Sequence, residues 1–178
     1  MKRKILMTAA FIWATTSFSF CQQQNVYSDG YIVKVGDMAP DFTINEAGGK
    51  IYKLSALRGR VVMLQFTASW CSVCRTEMPF IEKEIWKEKS KSGLVVIGID
   101  RDEPVNTVLD FRKEIGITYP LALDPDAKIF ALFADQKAGV TRNVIIDRTG
   151  KIIFLTRLYK REEFDKMKKV IFSELMPK

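Results

Sequence analysis

The feature that most constrains this chain is a cysteine pair, Cys71 and Cys74, set between an apolar run and a segment with helical periodicity. Residues 61–66 are apolar apart from Gln65, which predicts a strand covered on both faces. Residues 71–89 carry apolar side chains at helical spacing, so Cys71 falls at the start of a predicted helix. A buried strand that leads directly into a helix indicates a βαβ unit and hence an α/β fold.

The remaining predicted elements complete one mixed sheet. Predicted strands cover 42–44, 51–54, 94–99, 140–147 and 151–158, and predicted helices cover 104–115, 124–133 and 161–175. The two buried strands joined through the first helix are expected to be parallel, with a right-handed crossover. Pro79 lies inside that helix and is expected to kink it. We therefore predict an α/β protein with a central mixed β-sheet, helices on both faces and an N-terminal β-hairpin.

The N-terminus has the pattern of a secretory signal. Basic residues at positions 2–4 precede an apolar or small stretch at 5–20, and cleavage is expected before Gln22. The alternatives are a retained membrane anchor and a lipoprotein attached through Cys21, so membrane contact is expected only through residues 1–21. All three place the domain in the periplasm or on the outer face of the cell envelope. The predicted organisation is a signal peptide at 1–21, a linker at 22–34 and one domain at 35–178.

Composition excludes several classes of function. The chain contains no histidine, which removes histidine general bases, Cys-His dyads and nearly all zinc enzyme designs. Its net charge of +7 is dispersed along the chain, so we expect no nucleic-acid partner. Half of a zinc site would need two further ligands, and a structural disulfide across so short a loop would stabilise little. The cysteine pair therefore indicates redox chemistry without a metal or cofactor.

The helix position assigns a role to each cysteine. Unpaired N–H groups and the helix dipole at the N-terminus favour an anion, which stabilises the Cys71 thiolate. The thiolate is the nucleophilic form of cysteine. Cys74 lies one turn further into the helix and is expected to be more sheltered. Cys71 is therefore predicted to attack a substrate disulfide, and Cys74 is predicted to resolve the mixed disulfide.

Several short motifs occur in the order found in a known family. They are GDMAPDF at 36–42, LSALRGR at 54–60, WCSVCR at 70–75, EMP at 77–79 and GKI at 150–152. From about residue 35 onward the chain resembles the thioredoxin-like fold, specifically the TlpA/ResA-like group of exported thiol-disulfide oxidoreductases, related to the AhpC/TSA family. The resemblance implies a redox-active Cys71–Cys74 disulfide with Trp70 and Pro79 in its environment. It also implies disulfide-bearing envelope proteins as partners, an upstream membrane electron donor and a link to cytochrome c biogenesis.

The resemblance also points to an acid near the buried cysteine. In thioredoxins this acid lies six residues before the first cysteine, where this chain has Gln65, which cannot accept a proton. ResA-like proteins instead use a glutamate just after the next strand, and Glu103 matches that position. Glu103 is therefore expected to take the proton of Cys74. The alternative is that Asp102 or Glu103 only caps the helix that begins near Pro104.

One position departs from the thioredoxin pattern. Thioredoxin-like proteins carry a cis-proline beside the disulfide, and counting back from Asp147 places Thr141 there. A cis bond before a residue other than proline costs about 2.5–4 kcal/mol, so we expect a trans peptide bond. The Thr141 hydroxyl is expected to contact the Cys71 sulfur. Arg142 is a candidate electrostatic substitute that stabilises a thiolate or binds an acidic substrate.

Two further functions are compatible with the cysteine pair. One is a peroxidase of the AhpC/TSA type, although Thr67 stands one residue too far from Cys71 for the peroxidase motif. The other is a non-enzymatic Cu(I) carrier that uses two thiolates, although copper carriers of this fold normally add a histidine. Peroxide consumption would identify the first, and tight Cu(I) binding without turnover would identify the second.

Overall fold

The computed structural model describes Tyr27 and residues 29–176, so the predicted signal peptide lies outside the described residues. The strands are β1 (Thr43–Asn45), β2 (Ile51–Lys53), β3 (Val61–Thr67), β4 (Leu94–Arg101), β5 (Leu121–Asp124), β6 (Arg142–Ile146) and β7 (Ile152–Arg157). The α-helices are α1 (Ser72–Ile81), α2 (Lys87–Lys89), α3 (Val105–Ile115) and α4 (Arg161–Leu175). Within this part of the chain, no helix has the length and apolarity needed to cross a bilayer.

The central sheet has five strands in the order β5-β4-β3-β6-β7. Strands β3, β4 and β5 are parallel, whereas β6 is antiparallel to both β3 and β7. Strands β1 and β2 form a separate antiparallel pair. The predicted α/β class, the mixed sheet and the N-terminal hairpin are confirmed.

Alternation along β3 decides which side chains meet the cysteine-bearing helix. The Thr67 hydroxyl lies 3.3 Å from the sulfur of Met78 in α1. The ring of Phe66 points to the opposite face, where it packs against Phe130 at 5.5 Å between centroids. Phe130 begins a short 3₁₀ helix, Phe130–Leu132, so helical segments cover both faces. Side chains in register with Thr67 on neighbouring strands therefore also face α1.

The helix that contains Pro79 changes its hydrogen-bond spacing along its length. Pro79 lacks the N–H that an interior helical position normally donates. The α-helical pattern ends at Ile81, and a π-helical segment, Glu82–Trp86, connects α1 to α2. The expected irregularity at Pro79 therefore coincides with a wider turn just after it. The first turn, which carries the cysteines, precedes this change.

The segment between β4 and the β6–β7 hairpin differs from the prediction. The sequence predicts a helix over 124–133, but the structure has the strand β5, which ends at Asp124, and after it only the 3₁₀ turn Phe130–Leu132. The Asp124 carboxylate does bind the backbone N–H groups of Ile129 and Phe130, at 2.9 and 2.8 Å, and so holds a loop. Residues 121–124 form a strand because they pair in parallel with β4, as in the pairing of Leu121 with Gly98, and local sequence propensity does not indicate this pairing.

The described part of the predicted linker packs into the core. Tyr31 and Val33 are buried, and the Tyr31 hydroxyl donates to the carbonyl oxygen of Thr156 at 2.7 Å. Residues 29–34 therefore contribute to the domain, because Tyr31 and Val33 pack into the core and Tyr31 binds the backbone of β7.

Candidate active site

Cys71 and Cys74 form a disulfide at the start of α1, with their Cα atoms 5.3 Å apart. Cys71 is the N-cap residue of α1, and its sulfur accepts a hydrogen bond from the Cys74 N–H at 3.2 Å. The Cys71 residue is 7% exposed, whereas Cys74 is 0% exposed. A sulfur at the N-cap accepts a hydrogen bond from a backbone N–H that has no partner within the helix, and it lies at the positive end of the helix dipole. Both effects favour a thiolate.

Thr141 lies directly against the disulfide. Its hydroxyl oxygen is 3.2 Å from the Cys71 sulfur and 3.3 Å from the Cys74 sulfur. Every peptide bond among the described residues is trans, including Val140–Thr141. Disulfide sulfurs carry no hydrogen, so the Thr141 hydroxyl is the donor in this state. The carbonyl oxygen of Thr141 is itself occupied by the N–H of Leu158 at 3.1 Å.

Arg142 points away from the disulfide, because it follows Thr141 on an extended strand. It is 1% exposed, and its guanidinium lies 4.6 Å from the ring centre of Tyr31. Its Nε donates to the carbonyl oxygen of Gly139 at 3.0 Å. Burial lowers the pKa of this guanidinium. A substrate in solvent does not reach Arg142 here, so its contacts indicate a packing role beneath the N-terminal segment.

Glu103 is hydrogen-bonded to the loop that precedes the cysteines. Its carboxylate accepts hydrogen bonds from the backbone N–H and the hydroxyl of Ser69, both at 2.5 Å. The alternative of a helix cap does not match the structure, because Pro104 is the N-cap of α3 and no side chain caps it. Arg75 donates to the Ser69 carbonyl oxygen at 2.6 Å, so Ser69 is held from two sides. Trp70, the next residue, is 64% exposed beside Cys71.

Sequence reasoning missed Glu77, a buried carboxyl group on α1. Its Oε1 accepts a hydrogen bond from the Asn143 side chain at 2.7 Å, and its Oε2 has no partner. Burial raises the pKa of Glu77 to about 7. The Gln65 amide lies nearby, but its nitrogen makes no hydrogen bond of acceptable geometry. The available signal was the position of Glu77 three residues after Cys74, on the apolar stripe of the predicted helix.

Asp100 is a second buried acid that sequence reasoning did not single out. It stands near the end of β4, opposite Thr67 of β3, and is inaccessible to solvent. Burial and the neighbouring Glu103 carboxylate raise the pKa of Asp100 to about 8. The signal for it was an aspartate that directly follows the apolar run at 94–99.

Among Tyr27 and residues 29–176, no group of three or more histidine, cysteine, aspartate or glutamate side chains is arranged to hold a metal ion.

Comparisons with known proteins agree with this geometry. The AhpC/TSA family model matches residues 35–155. The thiol-disulfide oxidoreductase ResA of Bacillus thuringiensis (strain Al Hakam) is 28% identical over 155 residues, which cover 86% of this chain and 88% of ResA. A solved structure from Bacteroides thetaiotaomicron, provisionally assigned as a protein disulfide isomerase, is 61% identical with a TM-score of 0.80 and covers 84% and 94% of the two chains.

A second solved structure, from Chlorobium tepidum, is provisionally assigned as the thiol:disulfide interchange protein DsbE. It is 26% identical with a TM-score of 0.72, and the match covers 81% of this chain and 99% of that one. The family model covers more than half of this chain, and the cysteine pair stands at the head of α1. The chain therefore belongs to the AhpC/TSA family and is a ResA-like thiol-disulfide oxidoreductase with a thioredoxin-like fold.

Proposed function

We propose that this oxidoreductase works in the periplasm or on the outer face of the cell envelope, where it reduces disulfides of exported proteins. The N-terminal sequence pattern supports export, either with a cleaved signal or with attachment through residues 1–21. The resemblance to the TlpA/ResA-like group supports the reducing direction and a place in cytochrome c biogenesis, and the match to the thiol-disulfide oxidoreductase ResA supports thiol-disulfide exchange. The observation that carries the disulfide-reducing role is the difference in access between Cys71, which is 7% exposed, and Cys74, which is 0% exposed.

In the reduced protein, the Cys71 thiolate attacks one sulfur of a substrate disulfide. A mixed disulfide forms, and the first substrate sulfur leaves as a thiolate that takes up a proton. Cys74 then loses its proton and attacks the Cys71 sulfur, which releases the second substrate thiolate. The substrate gains two electrons and two protons, and Cys71 and Cys74 become the disulfide seen in this structure. A membrane dithiol donor then returns the pair to the reduced form.

Three side chains around the cysteines support these steps. Thr141 is positioned to donate a hydrogen bond to the Cys71 thiolate, because its hydroxyl is 3.2 Å from that sulfur. Glu103 is the proposed acceptor of the Cys74 proton. Its carboxylate accepts two hydrogen bonds from Ser69 and keeps lone pairs for a further one. Trp70 offers the substrate an exposed aromatic surface beside Cys71.

The test is capture of substrates by the full chain with the substitution Cys74→Ser. This variant retains the attacking thiol but cannot resolve the mixed disulfide, so envelope proteins should remain covalently attached to it. Cys71→Ser is the matched control and should capture nothing. Insulin reduction with dithiothreitol as donor should proceed with the unmodified chain. Capture by Cys71→Ser but not by Cys74→Ser would reverse the assigned roles.

The peroxidase alternative has a separate test. Thr67 is enclosed and directed at the sulfur of Met78, so it does not serve the Cys71 sulfur. We therefore expect no peroxide consumption above that of free thiols. Peroxide turnover that depends on Cys71 would favour the peroxidase, and tight Cu(I) binding without disulfide reduction would favour the carrier.

A further inference from the structure

We propose that Asp100 is a positioning residue of this site: a neutral carboxyl group that donates a hydrogen bond to the Glu103 carboxylate and so keeps Glu103 bound to Ser69. The inference rests on the proposed function, because it explains how the proposed proton acceptor is held in place. The proposed role of Asp100 is exerted through Glu103.

The register of the sheet brings Asp100 into the same layer as the cysteines. Asp100 pairs with Thr67 on β3 and with Leu123 on β5. Residues paired in register share a face of the sheet, and the Thr67 side chain contacts Met78 of α1. The Asp100 carboxyl group therefore lies beneath α1, the helix that carries Cys74.

The hydrogen-bond partners of the two acids imply a shared proton. Neither carboxyl oxygen of Asp100 has a donor within reach, although both are buried. The Glu103 carboxyl group is close enough to interact with that of Asp100, while Ser69 donates to both of its oxygens. Two carboxylates are acceptors only, so an ionised pair would repel and leave a buried charge uncompensated. One proton on Asp100 converts this contact into an O–H···O⁻ hydrogen bond.

The charges around Asp100 assign the proton to it. Glu103 is the charged group that acts on Asp100, and it disfavours a second negative charge. No cation is among the groups that act on Asp100. Arg101 lies over the Phe130 ring on the opposite face. Arg75 of α1 binds Glu114 and the Ser69 carbonyl oxygen, and its positive charge acts on Glu103. Besides Glu103, α1 brings two titratable groups to this face of the sheet: the Cys74 thiol of the reduced protein and the buried Glu77 carboxyl group, which binds Asn143 of β6. Glu103 accepts two hydrogen bonds from Ser69 whereas Asp100 accepts none, so the proton is assigned to Asp100.

This arrangement links a proton beneath α1 to the loop that carries Cys71. While Asp100 is neutral, Glu103 holds the backbone N–H of Ser69, two residues before Cys71. Loss of that proton would place two negative charges side by side and push Glu103 away from Ser69. We expect the loop to loosen as pH rises through the pKa of Asp100, which is raised to about 8.

The first test measures the proton directly. In the full oxidised chain labelled with ¹³C at aspartate side-chain carboxyls, the Asp100 signal is assigned through its backbone and followed against pH. It should titrate above pH 7, and Glu103→Gln should move its midpoint down, because a negative neighbour is removed. The Ser69 amide signal should shift with the same midpoint. A fully ionised Asp100 at pH 7, or a midpoint unchanged in Glu103→Gln, would overturn the proposal.

The second test separates positioning from a purely structural role. Asp100→Asn retains a donor toward Glu103 but cannot ionise, and Asp102→Asn, directly after the end of β4, is the matched control. For a pKa of about 8, the neutral fraction of Asp100 falls from about 90% at pH 7 to about 10% at pH 9. If resolution in the unmodified chain requires neutral Asp100, its rate falls with this fraction, whereas the rate of Asp100→Asn does not. The rate in Asp100→Asn divided by the rate in the unmodified chain should therefore rise by up to about ninefold from pH 7 to pH 9.

The same ratio for Asp102→Asn should stay constant across pH. A constant ratio for Asp100→Asn would refute the positioning role while leaving the oxidoreductase intact. If the unmodified chain showed no disulfide exchange, the proposed function would fail, yet the carboxyl titration would still decide whether Asp100 and Glu103 share a proton. If Asp100→Asn did not fold, the titrations of the unmodified chain and Glu103→Gln would decide the matter.

Discussion

Replacement of Glu77 by glutamine should change how the stability of the fold depends on pH. Glu77 is enclosed between α1 and the sheet, where it accepts one hydrogen bond from Asn143. Burial raises its pKa from 4.5 to about 7. A carboxyl group whose pKa is raised on folding binds its proton more tightly in the folded state, so it stabilises the fold below pH 4.5. That stabilisation is lost as pH rises from 4.5 through 7.

The magnitude follows from the shift. A difference of about 2.5 pKa units corresponds to about 3 kcal/mol of folding free energy at 1.36 kcal/mol per unit. Glu77→Gln keeps an oxygen for Asn143 and cannot ionise. Its free energy of unfolding should be close to that of the unmodified protein at pH 4.5, within about 1 kcal/mol. At pH 9 it should exceed the unmodified value by about 3 kcal/mol.

The measurement is urea unfolding of the oxidised protein at pH 4.5, 7 and 9, followed by tryptophan fluorescence. Other titrating groups, including Asp100, are common to both proteins and cancel in the difference. Glu88→Gln, on the exposed face of α2, is the matched control and should give a difference near zero throughout. A Glu77→Gln difference that stays constant from pH 4.5 to 9 would refute the assignment of a buried titrating carboxyl.

Limiting iodoacetamide should modify Cys71 of the reduced protein before Cys74, as judged by peptide mass mapping; preferential labelling of Cys74 would contradict the access difference. Thr141→Val should raise the Cys71 pKa by about 1–2 units, because one hydrogen bond to a charged group is worth about 1.5–3 kcal/mol. The thiolate absorbance against pH measures this, and an unchanged pKa would remove Thr141 from thiolate stabilisation. Glu103→Gln should slow resolution at neutral pH, and pH–rate profiles that superimpose with and without the substitution would exclude Glu103 as proton acceptor.

Features set by local order along the chain were predictable. The βα junction with Cys71 at the helix start follows from an apolar run, a cysteine pair and helical periodicity. The last helix, α4, begins and ends at the predicted residues, because its apolar stripe repeats over four turns. The resemblance to thioredoxins, with a count back from Asp147, located Thr141 beside the cysteines, since a short strand in fixed register leaves little freedom.

Features that depend on contacts between distant segments were decided by the tertiary structure. Strand β5 forms because β4 offers it a parallel edge, which no local pattern reveals. Arg142 is enclosed because the segment around Tyr31 folds over it. Glu77 and Asp100 become proton-binding groups only because sheet and helix exclude water from them, so their pKa values are properties of the packed core. The sequence determined which atoms do the sulfur chemistry, and the fold decided which acids surround them.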